Sequence, residues 1–318
     1  MLLVLSTPSK RDSYYRKYLD KMIDFYISYA GAVINENHDN IVILADKTAM
    51  PYLASKLPSE NLLLVDKQLD PWVRDVSPVC PGKNIQFQYS GGLKKKEAKL
   101  LQKSFNRIIE KYHTSFSQVD FYNDGGNFVY NQTLEIIITT DKFLELNKIT
   151  KSKAKLLLKD IFNVKQVAIL PADDEKLGHV DGMCSFLDEK TLLLVNYQED
   201  LKFRDSVLKE LELLENVEIK EVTCPFNDKK AEGGFTSAYG IYVNCVCTEN
   251  AVYVPVFNDV CDEPALSVIR ESVSSKEVIP INAEAVCDLG GSLRCLSWEV
   301  EGENAHRLMQ AAKLSVTN

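Results

Sequence analysis

Short continuous apolar runs alternate along this chain with longer stretches whose apolar positions recur at helical spacing, the pattern of strands interleaved with amphipathic helices. Met1-Leu2-Leu3-Val4-Leu5-Ser6 reads as a first strand. Tyr15, Leu19, Met22, Ile23, Tyr26 and Ile27 then predict one amphipathic helix over 9–30, closed by Gly31. The runs NIVILA (40–45) and NLLLV (61–65) predict further strands, separated by a helix over 49–56. Helices are expected over 93–112, 152–162, 201–214 and 263–273. Strands are expected over 128–130, 136–139, 166–170, 191–195, 241–246, 251–256 and 277–280. The class is α/β, and no Pro/Gly/Ser-rich linker divides the chain, so one catalytic domain over 1–318 is expected. The charge run Lys94-Lys95-Lys96-Glu97 opens a predicted helix and reads as a solvated face.

A second rhythm lies over the first. Polar segments rich in Gly, Asp, Asn or Cys interrupt the strand pattern at Asp75, Asp124, His179, Asn244 and Cys295. Their spacing of roughly 50 to 65 residues suggests an internal repeat of five units.

Composition narrows the function. The chain of 318 residues is 45% apolar and 26% charged, ample for a large core and unlike a disordered protein. No apolar run approaches the roughly 20 residues that cross a bilayer, and the opening segment is too short for a signal-peptide core. The net charge of −8 offers no general basic field for nucleic acid. Eight cysteines without an export signal suggest a reducing compartment, and hence a cytoplasmic enzyme.

Four segments carry chemistry, although each has an ordinary structural reading when taken alone. Trp72-Val73-Arg74-Asp75, between Pro71 and Pro78, also reads as a turn with an exposed ion pair. Asp124-Gly125-Gly126-Asn127 also reads as a turn. Gly178-His179-Val180-Asp181 places an imidazole and a carboxylate two residues apart, on one side of an extended segment. With four histidines in the chain, His179 is the best acid–base candidate. Gly290-Gly291-Ser292-Leu293-Arg294-Cys295 sets a thiol after a glycine-rich loop and beside a cation, where positive potential would favour the thiolate. Cys245 and Cys247 lack zinc-site spacing, and the remaining cysteines read as buried small hydrophobes.

The order of these motifs resembles the guanidine-modifying superfamily, and within it the agmatine deiminase and bacterial-type peptidylarginine deiminase branch. The likeness runs from Trp72 to Trp298 and includes Tyr242-Val243-Asn244 followed by Val254-Pro255-Val256-Phe257. It implies a five-bladed pseudo-symmetric α/β propeller (pentein) of ββαβ units around a central site. It departs from the branch's usual pattern in having Ser77 for Gly, Ile241 for Ser, Asp124 for an acidic position often held by Glu, and Arg294 for the His common in agmatine deiminases.

The resemblance also implies roles. Asp75 and Asp181 would grip the guanidinium and Trp72 would wall it. Cys295 would attack its carbon to give a covalent thiouronium, and His179 would serve as acid and then base, held by Asp124. Asn244, Tyr242 and Arg294 would complete the substrate-binding set. No metal or organic cofactor is called for, because paired carboxylates fix the carbon and sulfur is a sufficient nucleophile. The expected partner is a small cationic guanidino substrate, with agmatine first, hydrolysed to N-carbamoylputrescine and ammonia. Neither nucleic acid nor membrane is expected as a partner, and a homo-oligomer is compatible with this reading. The alternatives are a free-arginine or protein-arginine deiminase giving citrulline, an amidinotransferase using the same thiouronium, and a non-enzymatic guanidinium-binding protein.

Overall fold

The computed structural model describes residues 1–36, 39–66, 69–91, 95–225, 234–273 and 275–315. Among these residues the strands form five separate sheets. The first unit comprises β1 (Leu2–Ser6), α1 (Leu19–Glu36), β2 (Asn40–Ala45) and β3 (Leu62–Leu64), with β1, β2 and β3 parallel. The second has β4 (Ile85–Gln88), α2 (Lys95–Lys111) and a parallel β5 (Ser117–Tyr122). An antiparallel bridge from Val79 to Ile85 stands where a leading strand would be.

The next three units repeat one plan: an antiparallel pair, a crossover helix, then a parallel strand. They are β6 (Val129–Asn131), β7 (Ile136–Thr140), α3 (Lys151–Phe162) and β8 (Gln166–Leu170); β9 (Cys184–Phe186), β10 (Thr191–Val195), α4 (Leu201–Leu211) and β11 (Glu218–Val222); and β12 (Val246–Cys247), β13 (Ala251–Val256), α5 (Asp262–Ser272) and β14 (Glu277–Asn282). Finally β15 (Trp298–Val300) returns antiparallel onto β1, giving the first unit its leading strand and joining the two ends of the chain, and α6 (Gly302–Ser315) follows. The result is five ββαβ units.

Burial explains why the apolar runs were legible. Leu2 to Leu5 and Ile41 to Ala45 are almost wholly inaccessible on both faces, as expected of strands covered on both sides. Tyr26, Tyr29, Ala30 and Val33 of α1 pack in the same core as β1 and β2.

Two expectations are corrected. The helix expected over 9–30 begins only at Leu19 and runs past Gly31 to Glu36, because Ala30 and Val33 continue its buried stripe across the glycine. Upstream of it, the Asp12 carboxylate accepts the N–H groups of Tyr14 and Tyr15 and leads into a single turn at Tyr15–Lys17. The strand expected over 241–246 is mostly a turn, and pairing begins at Val246. Of the helix expected over 93–112, residues 93–94 lie outside the described residues.

The repeat also accounts for the second rhythm in the sequence. Asp124, Asp181, Asn244 and Cys295 each lie a few residues before the antiparallel strand that leads a unit, and Asp75 lies just before the Val79 bridge. Equivalent loops of five units therefore supply the polar segments.

Candidate active site

Asp75 sits on the short helix Val73–Val76, where its Oδ1 accepts the N–H of Gly126 at 3.0 Å. Gly126 belongs to the turn Gly125–Asn127 that begins after Asp124. A Cβ at Gly126 would lie 2.8 Å from Asp75 Oδ1, 2.8 Å from His179 Nδ1 and 3.1 Å from Asp181 Oδ2. Three reactive side chains from two units thus converge, at the glycine of a third, on a volume that a single methyl group would fill, and only glycine leaves it open.

Asn127 holds two of these turns together. Its side-chain oxygen accepts the N–H groups of Thr140 and Val180 and the Thr140 hydroxyl, fixing the turn that carries His179 against the turn that carries Asp124. His179 Nε2 lies 3.3 Å from Asp124 Oδ2, and its Nδ1 lies 3.7 Å from Asp75 Oδ1. Asp124 is immobilised in turn, accepting from the Ser90 N–H and hydroxyl and from the Gly91 N–H.

On the other side, Asn244 organises the thiol loop. Its amide donates to the Asp181 carbonyl at 3.0 Å and to Cys295 Sγ at 3.3 Å. Its oxygen accepts the N–H groups of Arg294 and Cys295. Cys295 Sγ lies 3.8 Å from Asp181 Oδ2, and Cys295 is partly exposed. Trp72 donates its indole N–H to the Tyr15 hydroxyl at 2.9 Å. Its ring lies so close to Gly291 that a Cβ there would stand 2.5 Å from it, and 3.0 Å from the Cys295 Cβ. The glycine-rich loop therefore lets the indole lie beside the nucleophile.

The electrostatics follow from crowding acids around one imidazole. Burial works against the charged ring, but Asp75, Asp124 and Asp181 overcome it and raise His179 to about 9. Burial raises Asp75 to about 7, opposed by His179 and reinforced by the other two carboxylates. Burial, followed by the negative charge of Asp181 and Asp75, pushes the Cys295 thiol well above its ordinary value.

This last result corrects the expectation that Arg294 favours the thiolate. Arg294 is buried; its Nη1 donates to Asp181 Oδ2 at 3.1 Å and its Nη2 to the Phe128 carbonyl at 2.8 Å. Its charge is committed to a carboxylate, and its guanidinium is not free to contact substrate. Tyr242 is corrected too: it is fully buried, stacks edge-on against Phe257 and donates its hydroxyl to Asp262 at 2.8 Å, so it supports the loop before Asn244 without facing the convergent volume.

Sequence reasoning missed the buried pair of Arg74 and Glu299, whose Nη2 and Oε2 lie 3.1 Å apart. Arg74 also donates from its backbone to the Cys295 carbonyl and from Nε to the Arg294 carbonyl, so the pair ties the Asp75 helix to the thiol loop. A lone Glu after Trp298 gives no signal of this in the sequence. A cavity of about 1160 Å³ runs along α2 and meets the site at Asp124, Asn127 and His179; Asp75, Asp181 and Cys295 are not among its walls. Among the described residues no group of three or more His, Cys, Asp or Glu is arranged to hold a metal ion, and no helix is long and apolar enough to cross a membrane.

A thiol, an imidazole and three carboxylates meet where the loops of the units converge, the set of groups that guanidine-modifying chemistry uses, and comparison with known proteins gives the family. Residues 2–300 match the model of the Porphyromonas-type peptidyl-arginine deiminase family, and the chain belongs to that family. It is 22% identical over 289 residues to a putative agmatine deiminase of Shewanella baltica, covering 77% of each chain. It is 23% identical over 293 residues to the agmatine deiminase of Pseudomonas syringae, covering 77% of this chain and 78% of the relative. The structure of C. jejuni agmatine deiminase superposes with a TM-score of 0.75 at 21% identity, over 93% of this chain and 92% of that one. A more distant likeness, DDAH from Pseudomonas aeruginosa, gives 0.51 at 12% identity over 93% and 97%. These superpositions show the α/β-propeller fold.

Proposed function

We propose that the protein is a hydrolase that deiminates agmatine to N-carbamoylputrescine and ammonia through a covalent intermediate on Cys295. The observation that carries this reading is the convergence of Asp75, His179 and Asp181 at the Gly126 backbone, with the thiol 3.8 Å from the same Asp181 oxygen. Names of relatives at 21–23% identity support agmatine as the first substrate.

A guanidinium is planar, and with a pKa above about 12 it stays protonated, so a pocket for it must supply carboxylates. Asp75 and Asp181 accept its N–H groups and aim its carbon at sulfur. The raised thiol suits this order of events. Before substrate arrives, two nearby carboxylates hold the proton on sulfur; the incoming cation offsets them, the thiol releases its proton to solvent, and the thiolate forms beside its electrophile.

Sulfur adds to the guanidinium carbon, giving a tetrahedral adduct. Protonated His179 gives its proton to one nitrogen, the C–N bond breaks, and ammonia leaves a thiouronium on Cys295. The now neutral His179 takes a proton from water, the resulting hydroxide adds to the same carbon, and collapse expels sulfur, which takes up the hydroxyl proton to restore the thiol as the ureido product leaves. Asp124 keeps the imidazole in place for both transfers.

The test is ammonia release across agmatine, free arginine and a peptide with an internal arginine, with product identification. Agmatine is expected to give the highest kcat/KM, with a ureido product. Preference for arginine or the peptide would move the substrate, a new guanidino product would mean amidino transfer, and binding without any product would mean a guanidinium-binding protein.

A further inference from the structure

Just beyond Asn244 lie two thiols to which the proposed chemistry gives no role. Cys245 Sγ and Cys247 Sγ are 3.6 Å apart; Cys245 is buried and Cys247 is partly exposed. Neither is in a disulfide. Val246, between them, is fully buried in the opening register of β12 against Tyr253, and Cys247 pairs with Val252. The two thiols thus project together from one side of a short segment while the valine anchors the other side.

We propose that Cys245 and Cys247 form a thiol–disulfide modification site, closed by a low-molecular-weight disulfide, and that closure loosens the hold of Asn244 on the Cys295 loop. This goes beyond the proposed hydrolysis and does not depend on it. In the first step the sulfur of Cys247, the partly exposed residue of the pair, attacks one sulfur of the small disulfide and expels the other half as a thiol. Cys245 sulfur then attacks Cys247 sulfur and expels the second half. Two protein thiols lose two protons and two electrons, and the small disulfide is reduced to two thiols. The hydrogen bond between them divides the roles: it draws the Cys245 thiol below its ordinary value against the effect of burial, which makes this sulfur the readier nucleophile for the closing step, and together with burial it pushes the Cys247 thiol well above its own.

Closure has a mechanical consequence. The sulfurs must approach from 3.6 Å to about 2.05 Å, with Cβ atoms about 3.5–4.5 Å apart, a separation shorter than extended residues i and i+2 present. The backbone over 245–247 must therefore contract. Asn244 is the adjoining residue, and its side chain makes the contacts to Asp181, Arg294 and Cys295 that set the thiol loop.

The test exposes the reduced full-length protein to glutathione disulfide. In a Cys295→Ala background, the expected product is lighter by two hydrogens, has lost two titratable thiols, carries no glutathione, and yields a peptide in which Cys245 is joined to Cys247. In the protein with Cys295 intact, the rate of Cys295 alkylation by iodoacetamide is expected to fall about tenfold on oxidation, as it loses the Asn244 hydrogen bond, and to recover with dithiothreitol. Cys247→Ser is expected to abolish that response. A mixed glutathione disulfide as the stable end product would overturn the proposal, as would a closed Cys245–Cys247 bond that leaves alkylation unchanged. Neither readout uses turnover, so failure of the deiminase reading and failure of this one are distinguishable.

Discussion

His179 Nε2 lies 3.3 Å from Asp124 Oδ2, and that carboxylate is itself fixed by the N–H groups of Ser90 and Gly91. The imidazole therefore meets a charge that cannot swing away, while Asp75 faces its other nitrogen. A ring held between acids favours the protonated form, which the loss of ammonia in the proposed chemistry requires.

The same relationship makes stability depend on pH. His179 has a folded pKa raised to about 9 from 6.5, so its contribution is complete below about pH 6.5 and is lost as pH rises toward 9. Asp75, raised to about 7 from 3.8, acts in the same direction over the lower range, because the fold binds its proton more tightly than the unfolded chain does. Denaturant midpoints are expected to fall between pH 6.5 and 9, and His179→Gln is expected to flatten that decline. An equal slope in both proteins would contradict the assignment.

Gly126→Ala separates site geometry from folding. The added methyl would stand 2.8 Å from Asp75 Oδ1 and His179 Nδ1, so these groups must part. The thermal midpoint is expected to change by only a few degrees, whereas kcat/KM should drop roughly a hundredfold or more, as displacement of about an ångström costs in a preorganised site. Full activity would show that the substrate does not use this volume.

Asp75→Asn removes one charged partner of the guanidinium and leaves the Gly126 N–H an acceptor. Loss of one charge-assisted hydrogen bond of about 1.5–3 kcal/mol predicts a KM raised roughly ten- to a hundredfold. Steady-state kinetics check this; an unchanged KM would remove Asp75 from the binding set.

Asn244→Ala strips the N–H groups of Arg294 and Cys295 of their side-chain acceptor. The Arg294 N–H keeps the Asn244 backbone carbonyl at 3.3 Å, so the Cys295 N–H is the donor left without its acceptor, at a cost of about 1–3 kcal/mol readable as a lower denaturant midpoint at unchanged m-value. Alkylation of Cys295 should also slow, since the amide that faces its sulfur is gone.

The sequence was most informative where one short segment contains its own reason. Buried strands such as Leu2–Ser6 and Thr191–Val195 appear as apolar runs because both faces are covered. β5 escaped notice because its residues are largely exposed or half-exposed and alternate polar with apolar, and β15 because a three-residue strand is recognisable only from its pairing with β1 across the whole chain. In the site, Trp72, Asp75, Asp124, His179, Asp181, Asn244 and Cys295 were legible as motifs. The partners of Arg294 and Tyr242 were not. That a cation beside a thiol gives its charge to a carboxylate 113 positions away, or that a tyrosine two residues from Asn244 turns toward Asp262, depends on how the units meet.

The central claim is that Cys295 sulfur becomes bonded to the guanidinium carbon. Acid-quenched mixtures of protein and excess agmatine, analysed by intact mass and peptide mapping, test it most directly. The account predicts an adduct on Cys295 with the mass of agmatine less ammonia, present during turnover, absent once substrate is spent, and absent from Cys295→Ala, which should release no ammonia. Ammonia release by Cys295→Ala at the rate of the unaltered protein would contradict it.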